Sequence, residues 1–339
     1  MSVQKFLIIQ TAFLGDAILT LPMIQVLSKK NPNSQIDVVS IPSTKEIFEA
    51  SPYVNKVLVL DKRGKHKSLI NLYNFVSLIK NENYTRIYSP HRSFRTSLIV
   101  LLSRVKETYG FDTSALSFVY KKKIKYESYL HEVERNLKLI GLINERDNWK
   151  IKPVINIHDS IVKKIDELLN KITGRRIIAI APGSVWNTKK YPTAYFEKVV
   201  DYLIAKNFYV VLIGGSDDKI LCRSISQKYT NSIQSFAGNL NIIESIELIK
   251  RCSLILCNDS APTHLGMIAD IPTLTIYCST IPQFGFYPYN KKSDYLSFNE
   301  LNCKPCGIHG HDKCPINTFD CGYKLMPEMV IEKIAKLLD

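Results

Sequence analysis

Residues 254–277 read LILCNDSAPTHLGMIADIPTLTIY. The apolar run 254–257 is short enough for a strand buried on both faces. Asn258, Asp259 and Ser260 then offer helix-capping side chains, and Pro262 sits where a first helical turn tolerates proline. The pattern predicts a short helix over 263–268, and Pro272 opens a second apolar strand. Such a strand–turn–helix–strand unit points helix N-terminal N–H groups at the carboxyl edge of a parallel sheet, an arrangement that binds phosphate. Taken alone, Asn-Asp-Ser is better read as a plain capped crossover helix.

The same alternation runs outward in both directions. Residues 5–11 (KFLIIQT) form a buried-strand pattern, 12–16 (AFLGD) a tight loop, and 17–30 an apolar-striped helix. Gly15 and Asp16 therefore fall at a strand-to-helix turn. Strands are expected at 35–40, 56–60, 86–89 and 107–110, with helices at 44–50, 68–81 and 93–103. Lys121, Lys122, Lys123 and Lys125 mark an exposed basic segment, followed by a helix over 129–142. After the polar stretch 144–153 and a helix over 160–169 the alternation resumes. Strands at 176–181, 209–214 and 233–235 precede the pair in the opening stretch; helices over 193–206, 219–229, 241–251 and 327–338 complete the pattern. Alternating strand and helix predicts an α/β protein with doubly wound parallel sheets, and the polar stretch divides it into domains 1–152 and 153–339. Ligand is expected in the crevice at the carboxyl edges of the sheets.

The chain has 339 residues, enough for two α/β domains, and its 45% hydrophobic content is that of a globular protein. No apolar run approaches the roughly 20 residues of a membrane-spanning helix, and 6–11 is too short for a signal-peptide core. A cytoplasmic protein is the resulting expectation. Formal charge is +14, from 45 Lys and Arg against 31 Asp and Glu. A basic surface suits nucleic acid, an acidic membrane face or a phosphorylated glycolipid, and charge alone does not separate them.

Two further loops carry chemistry. In 181–192 (APGSVWNTKKYP) a Pro-Gly-Ser turn presents free N–H groups ahead of two lysines, and a lysine in such a loop can neutralise a phosphate leaving group without a metal. A solvated surface loop is the competing reading. Gly214-Gly215-Ser216-Asp217-Asp218 supplies a glycine turn and, in Asp217, an acid able to hold a ribose hydroxyl, but the full G-x-G-x-x-G spacing is absent. His91, Arg92 and Arg95 follow the strand at 86–89, where arginine pairs well with an acceptor phosphate or carboxylate. Of eight cysteines, Cys222, Cys252, Cys257 and Cys278 read as small core residues. Cys303, Cys306, Cys314 and Cys321 cluster in a Gly-, Pro- and His-rich loop; the first pair is C-x-x-C and the second is not, so structural zinc and reduced thiols both stay open.

Together these segments resemble glycosyltransferase family 9, which contains the ADP-heptose:lipopolysaccharide heptosyltransferases. The resemblance is carried by TAFLGDAILTLP, HEVERNLKLIG, APGSVWNTKKYP, AGNLNIIESIELIKRCSLILCNDSAPTHLGMIADIP and YCSTIPQF, in this order, from Phe6 to the final helix. PGSVWNTKKYP with CSTIPQF looks most similar to the heptosyltransferase II branch. The resemblance implies a GT-B architecture of two Rossmann-like domains, the first taking the acceptor and the second the nucleotide-sugar. It implies inversion at the anomeric carbon with no metal. The family's base falls on Asp16 after Gly15, and its diphosphate-contacting lysine on Lys189. Its donor-binding stretch falls on Asp259, Ser260 and Ala261, with alanine where glycine is usual, and His264 matches its histidine. Ser184 matches a hydroxyl near the phosphates, and Leu240 lies in the loop bordering adenine.

The reading is therefore an inverting transferase that moves heptose from ADP-heptose to an anionic glycolipid, the lipopolysaccharide inner core. No cofactor is required beyond the donor, and contact with the inner face of the inner membrane is an expectation. The alternatives are a family 9 enzyme with another nucleotide-sugar or acceptor, and a basic nucleic-acid-binding protein with a zinc knuckle. Against the latter, the aromatics are not interleaved with basic residues as stacking platforms would require, so no nucleic-acid partner is expected.

Overall fold

The computed structural model describes residues 4–142, 146–229 and 231–339. The chain forms two compact units, Met1–Asn156 and Ile157–Asp339, dividing just beyond the expected 152/153 boundary. Two residues of the polar stretch expected at the junction, 144 and 145, lie outside the described residues.

The first unit contains β1 (Lys5–Ile9), α1 (Leu14–Lys30), β2 (Gln35–Ser40), α2 (Lys45–Glu49), β3 (Lys56–Val59) and α3 (Leu69–Asn81). There follow β4 (Arg86–Ser89), α4 (Phe94–Ser103), β5 (Glu107–Phe111), β6 (Lys122–Ile124) and α5 (Glu132–Leu139). Its six strands are parallel in the order β3-β2-β1-β4-β5-β6. The second unit runs α6 (Asp159–Leu169), β7 (Ile177–Ala181), α7 (Thr193–Ala205), β8 (Tyr209–Leu212), α8 (Lys219–Ser226), β9 (Ile233–Ser235) and α9 (Ile242–Lys250). It continues with β10 (Leu254–Asn258), α10 (Ala261–Ala269), β11 (Thr273–Tyr277), β12 (Asp294–Ser297), α11 (Asp320–Tyr323) and α12 (Pro327–Leu338). Its parallel order is β12-β11-β10-β7-β8-β9.

Central strands are buried and largely apolar because helices cover both faces: β10 and β11 are buried at every residue. In each sheet the strand order reverses between two central neighbours, β1/β4 and β7/β10. Loops leaving those strands diverge to opposite faces and open a crevice at the carboxyl edge, which is where α/β sheets bind ligands. The turns carrying Asp16 and His91 leave β1 and β4; those carrying Lys189 and Asp259 leave β7 and β10.

Two strands were not expected. β6 forms within the lysine-rich segment, and β12 reads DYLS; both are sheet edges. Edge strands need only one neighbour's hydrogen bonds and are commonly lysine-marked, so apolar periodicity does not announce them. The helix after the first strand starts earlier than expected, at Leu14, with Phe13 as N-cap. Asp16 is thus inside the first turn and does not occupy the capping position.

Candidate active site

In the first unit the β1–α1 turn sets Asp16 in the first helical turn, where a carboxylate is favoured by the helix dipole. The side chain is half-buried, and desolvation pushes its pKa from 3.8 to about 7. The negative charge of Glu132 pushes in the same direction, while hydrogen bonds from the Asp16 and Phe13 amides and the charge of Arg135 pull the other way. Gly15 precedes it at the second helical position.

Glu132 and Arg135 come from α5, which packs on α1, with Asn136 Nδ2 donating to Leu19 O at 3.2 Å. Arg135 is buried and donates through Nε to Glu132 Oε2 at 2.8 Å; its Nη1 donates to the carbonyls of Ser128 and Leu130. Burial raises the Glu132 pKa despite this partner. The HEVER segment therefore sets the electrostatics around Asp16. Its placement was missed because only packing of α5 on α1 brings it there.

His91, Arg92 and Arg95 take three different roles. His91 Nδ1 lies 2.8 Å from Thr11 Oγ1 and 3.0 Å from Thr96 Oγ1. Burial, with Lys62 and Arg92 nearby, lowers its pKa to about 4, so it is a neutral imidazole and brings no charge for an anion. The Arg92 guanidinium stacks 3.8 Å from the Tyr126 ring centre and reaches Thr113 Oγ1 at 3.1 Å. Arg95 donates to the carbonyls of Lys62, His66 and Lys67, pinning the loop before α3. Lys62, which sequence reading passed over, donates to Thr11 O at this same edge.

In the second unit Lys189 Nζ sits 2.7 Å from Asp259 Oδ2, with side chains only 13% and 11% exposed. Thr280 Oγ1 donates to the same carboxylate oxygen at 2.6 Å. Asn258 joins the two loops: its Oδ1 accepts from Tyr191 N at 2.9 Å and its Nδ2 donates to Pro182 O at 2.8 Å. α10 begins at Ala261 behind Ser260, whose side chain makes no cap hydrogen bond, leaving first-turn N–H groups uncapped by a side chain. Ala261 is not among the residues with positive φ, so the missing family glycine demands no unusual backbone there.

His264 on α10 is buried, and burial with the charge of Lys189 lowers its pKa to about 4. Among the described residues, three buried side-chain polar atoms of this unit have no hydrogen-bond partner: His264 Nδ1, Tyr277 OH and Ser279 Oγ. His264 and Tyr277 both feel the Asp259 charge. Buried polar atoms are normally satisfied, so two orphans that both feel the charge of one ion-paired carboxylate point to a polar ligand.

Ser184 is half-buried after β7, and Leu240 is half-buried just before α9. Asp217 is exposed. It is Asp218 that shapes the glycine turn, accepting from Gly215 N at 2.9 Å; a Cβ on Gly183 would come 2.0 Å from its carboxylate. Cys303, Cys306, Cys314 and Cys321 are free thiols lining one cavity of about 60 Å³. Among the described residues no three His, Cys, Asp or Glu side chains are placed to hold a metal ion. The same loop packs on the lysine loop: Thr188 N donates to His311 O at 3.0 Å, and His311 N to Thr188 Oγ1 at 2.7 Å. This buttress was not legible in the sequence.

The chain is similar along its length to known proteins. The chain is 23% identical over 339 residues to lipooligosaccharide heptosyltransferase 2 of Campylobacter jejuni, covering 98% of this chain and 99% of that protein. Its fold is similar to that of a family 9 glycosyltransferase from Veillonella parvula, with TM-score 0.87, 21% identity, and 100% and 98% of the two chains covered. It is also similar to E. coli ADP-heptose lps heptosyltransferase II, with TM-score 0.80, 18% identity, and 99% and 98% covered. The family model described as glycosyltransferase family 9 (heptosyltransferase) matches residues 73–313, and the chain belongs to that family.

Proposed function

We propose that the protein is an inverting, metal-independent glycosyltransferase that moves heptose from ADP-heptose to the lipopolysaccharide inner core. The observation that carries the reading is the Lys189–Asp259 pair at the start of α10, with the buried, unpartnered His264 Nδ1 and Tyr277 OH within the field of Asp259. In this reading the second unit holds the donor diphosphate against Lys189 and the first-turn N–H groups of α10, and His264, Ser184 and Ser260 line the same edge. The first unit takes the acceptor. Asp16 removes the proton of the acceptor hydroxyl as that oxygen attacks the anomeric carbon from the side opposite ADP. The carbon–oxygen bond to ADP breaks, the configuration inverts, and the charge left on ADP is met by Lys189 and the helix N–H groups. The names of the relatives supply the sugar and the acceptor in this proposal.

Two measurements test it. ADP should raise the melting temperature more than UDP or GDP, and at ~100 times its dissociation constant it should add about 2.7 kcal/mol of stability. A shift with UDP alone would replace ADP-heptose by another nucleotide-sugar. Turnover should survive EDTA, because fixed cationic and N–H groups stand where a divalent ion would otherwise offset the diphosphate, and the sequence has no D-x-D pair. Loss of turnover in EDTA, restored by magnesium or manganese, would overturn the metal-free mechanism.

A further inference from the structure

The positive charge of the chain is unevenly placed. The first unit has 24 Lys and Arg against 13 Asp and Glu, the second 21 against 18. Most of the net +14 therefore belongs to the first unit.

Its helical layer of α3 and α4 packs on the sheet through Leu72, Phe75, Val76, Ile79, Ile99 and Val100. Soluble helices usually turn a polar face outward. Here the outward face of α3 carries large apolar side chains beside Asn71 and Asn74: Ile70, Tyr73 and Leu78 are 74%, 55% and 59% exposed. On α4, Phe94 and Leu101, one face at i and i+7, are 59% and 48% exposed, and Phe118 in the turn against α4 is 72% exposed. At the C-terminal ends of both helices an open hollow of about 390 Å³ is lined by Lys80, Arg104 and Lys106. None of these three cations pairs with a carboxylate among the described residues.

We propose that the outer face of α3 and α4 docks on an anionic phospholipid bilayer, with Ile70, Tyr73, Leu78, Phe94, Leu101 and Phe118 entering the headgroup boundary and Lys80, Arg104 and Lys106 facing lipid phosphates. A helix pair lying flat with apolar and aromatic side chains down and cations at its margin is the arrangement that binds membrane interfaces. The excess of positive charge on the same unit selects an anionic surface. No described helix is long and apolar enough to cross a membrane, so the contact is peripheral. The proposal does not rest on the donor chemistry, although a lipid-borne acceptor would be presented at the same surface.

Co-sedimentation of the full chain with vesicles tests it directly. Vesicles of one part phosphatidylglycerol to three parts phosphatidylcholine should pellet the protein, and pure phosphatidylcholine vesicles should not. Added salt should release it, since exposed charges are screened within about 8 Å at physiological ionic strength. K80E/R104E/K106E should weaken partitioning by at least about tenfold, given roughly one unit of favourable lipid attraction lost per cation. I70S/L78S/L101S should weaken it comparably while retaining the parent far-ultraviolet circular dichroism and melting temperature. Parent-like binding by both variants, or no binding of the parent, would overturn the assignment. Concentration-dependent dimerisation abolished by the apolar variant would give the face to a second copy of the chain instead. Neither outcome touches the ADP measurements, which read the second unit.

Discussion

Asp16→Asn should lower turnover by roughly 10²–10⁴-fold, because asparagine cannot take the proton of an attacking hydroxyl. The side chain lies inside the first turn of α1 and is not the N-cap, so the substitution removes no cap. The pH profile supplies a second readout. Burial and the neighbouring Glu132 hold the carboxyl protonated up to about pH 7, so kcat/KM of the parent should climb with pH through that region and level above it. Stability runs the opposite way. An unfolded aspartate loses its proton near 3.8 and the native one near 7, so the native state binds more protons between those values and loses stability as pH rises through them. Asp16→Asn removes that loss, and above pH 7 the variant should melt no lower than the parent. Turnover, its pH profile and melting temperature on the same two proteins decide the matter. A variant that keeps parent turnover removes Asp16 from the chemistry.

Lys189→Met should cost roughly 10²–10³-fold in kcat, the loss typical of one preorganised donor to a developing negative charge. It also leaves Asp259, nearly buried, with Thr280 as its remaining described partner. A stability loss alone would therefore not identify the role of the lysine. The double variant with Asp259→Asn separates the two effects: the stability coupling of the pair should be about 0.5–3 kcal/mol. The double variant should recover stability and not turnover. Weakened ADP binding in Lys189→Met, measured by calorimetry, is the companion result. Turnover that returns with stability in the double variant would make the ion pair structural only.

Much of the candidate site was legible because it is local in the chain. A strand, its turn and the following helix are consecutive, so Asp16, Ser184, Lys189 and Asp259 could each be placed at a strand-to-helix turn from the pattern of apolar and capping residues, whereas His264 was singled out only by the family resemblance. The roles of Arg95 and Asp217 were less legible. Arg95 is spent on loop carbonyls, and Asp217 stays exposed while its neighbour Asp218 braces the glycine turn. Nothing in residue type distinguishes those neighbours; only the close approach of Gly183 does.

By itself, the sequence determined two doubly wound α/β units and the turns that carry chemistry, because buried parallel strands must be apolar and crossover helices must be striped. Tertiary structure alone decided which side chains meet. Lys189 reaches Asp259 because β7 and β10 are neighbours, Glu132 and Arg135 act on Asp16 because α5 packs on α1, and the cysteine loop props the lysine turn through His311. Ion pairing and desolvation depend on distances between segments remote in the chain, whereas periodicity reports only which face of each segment is buried.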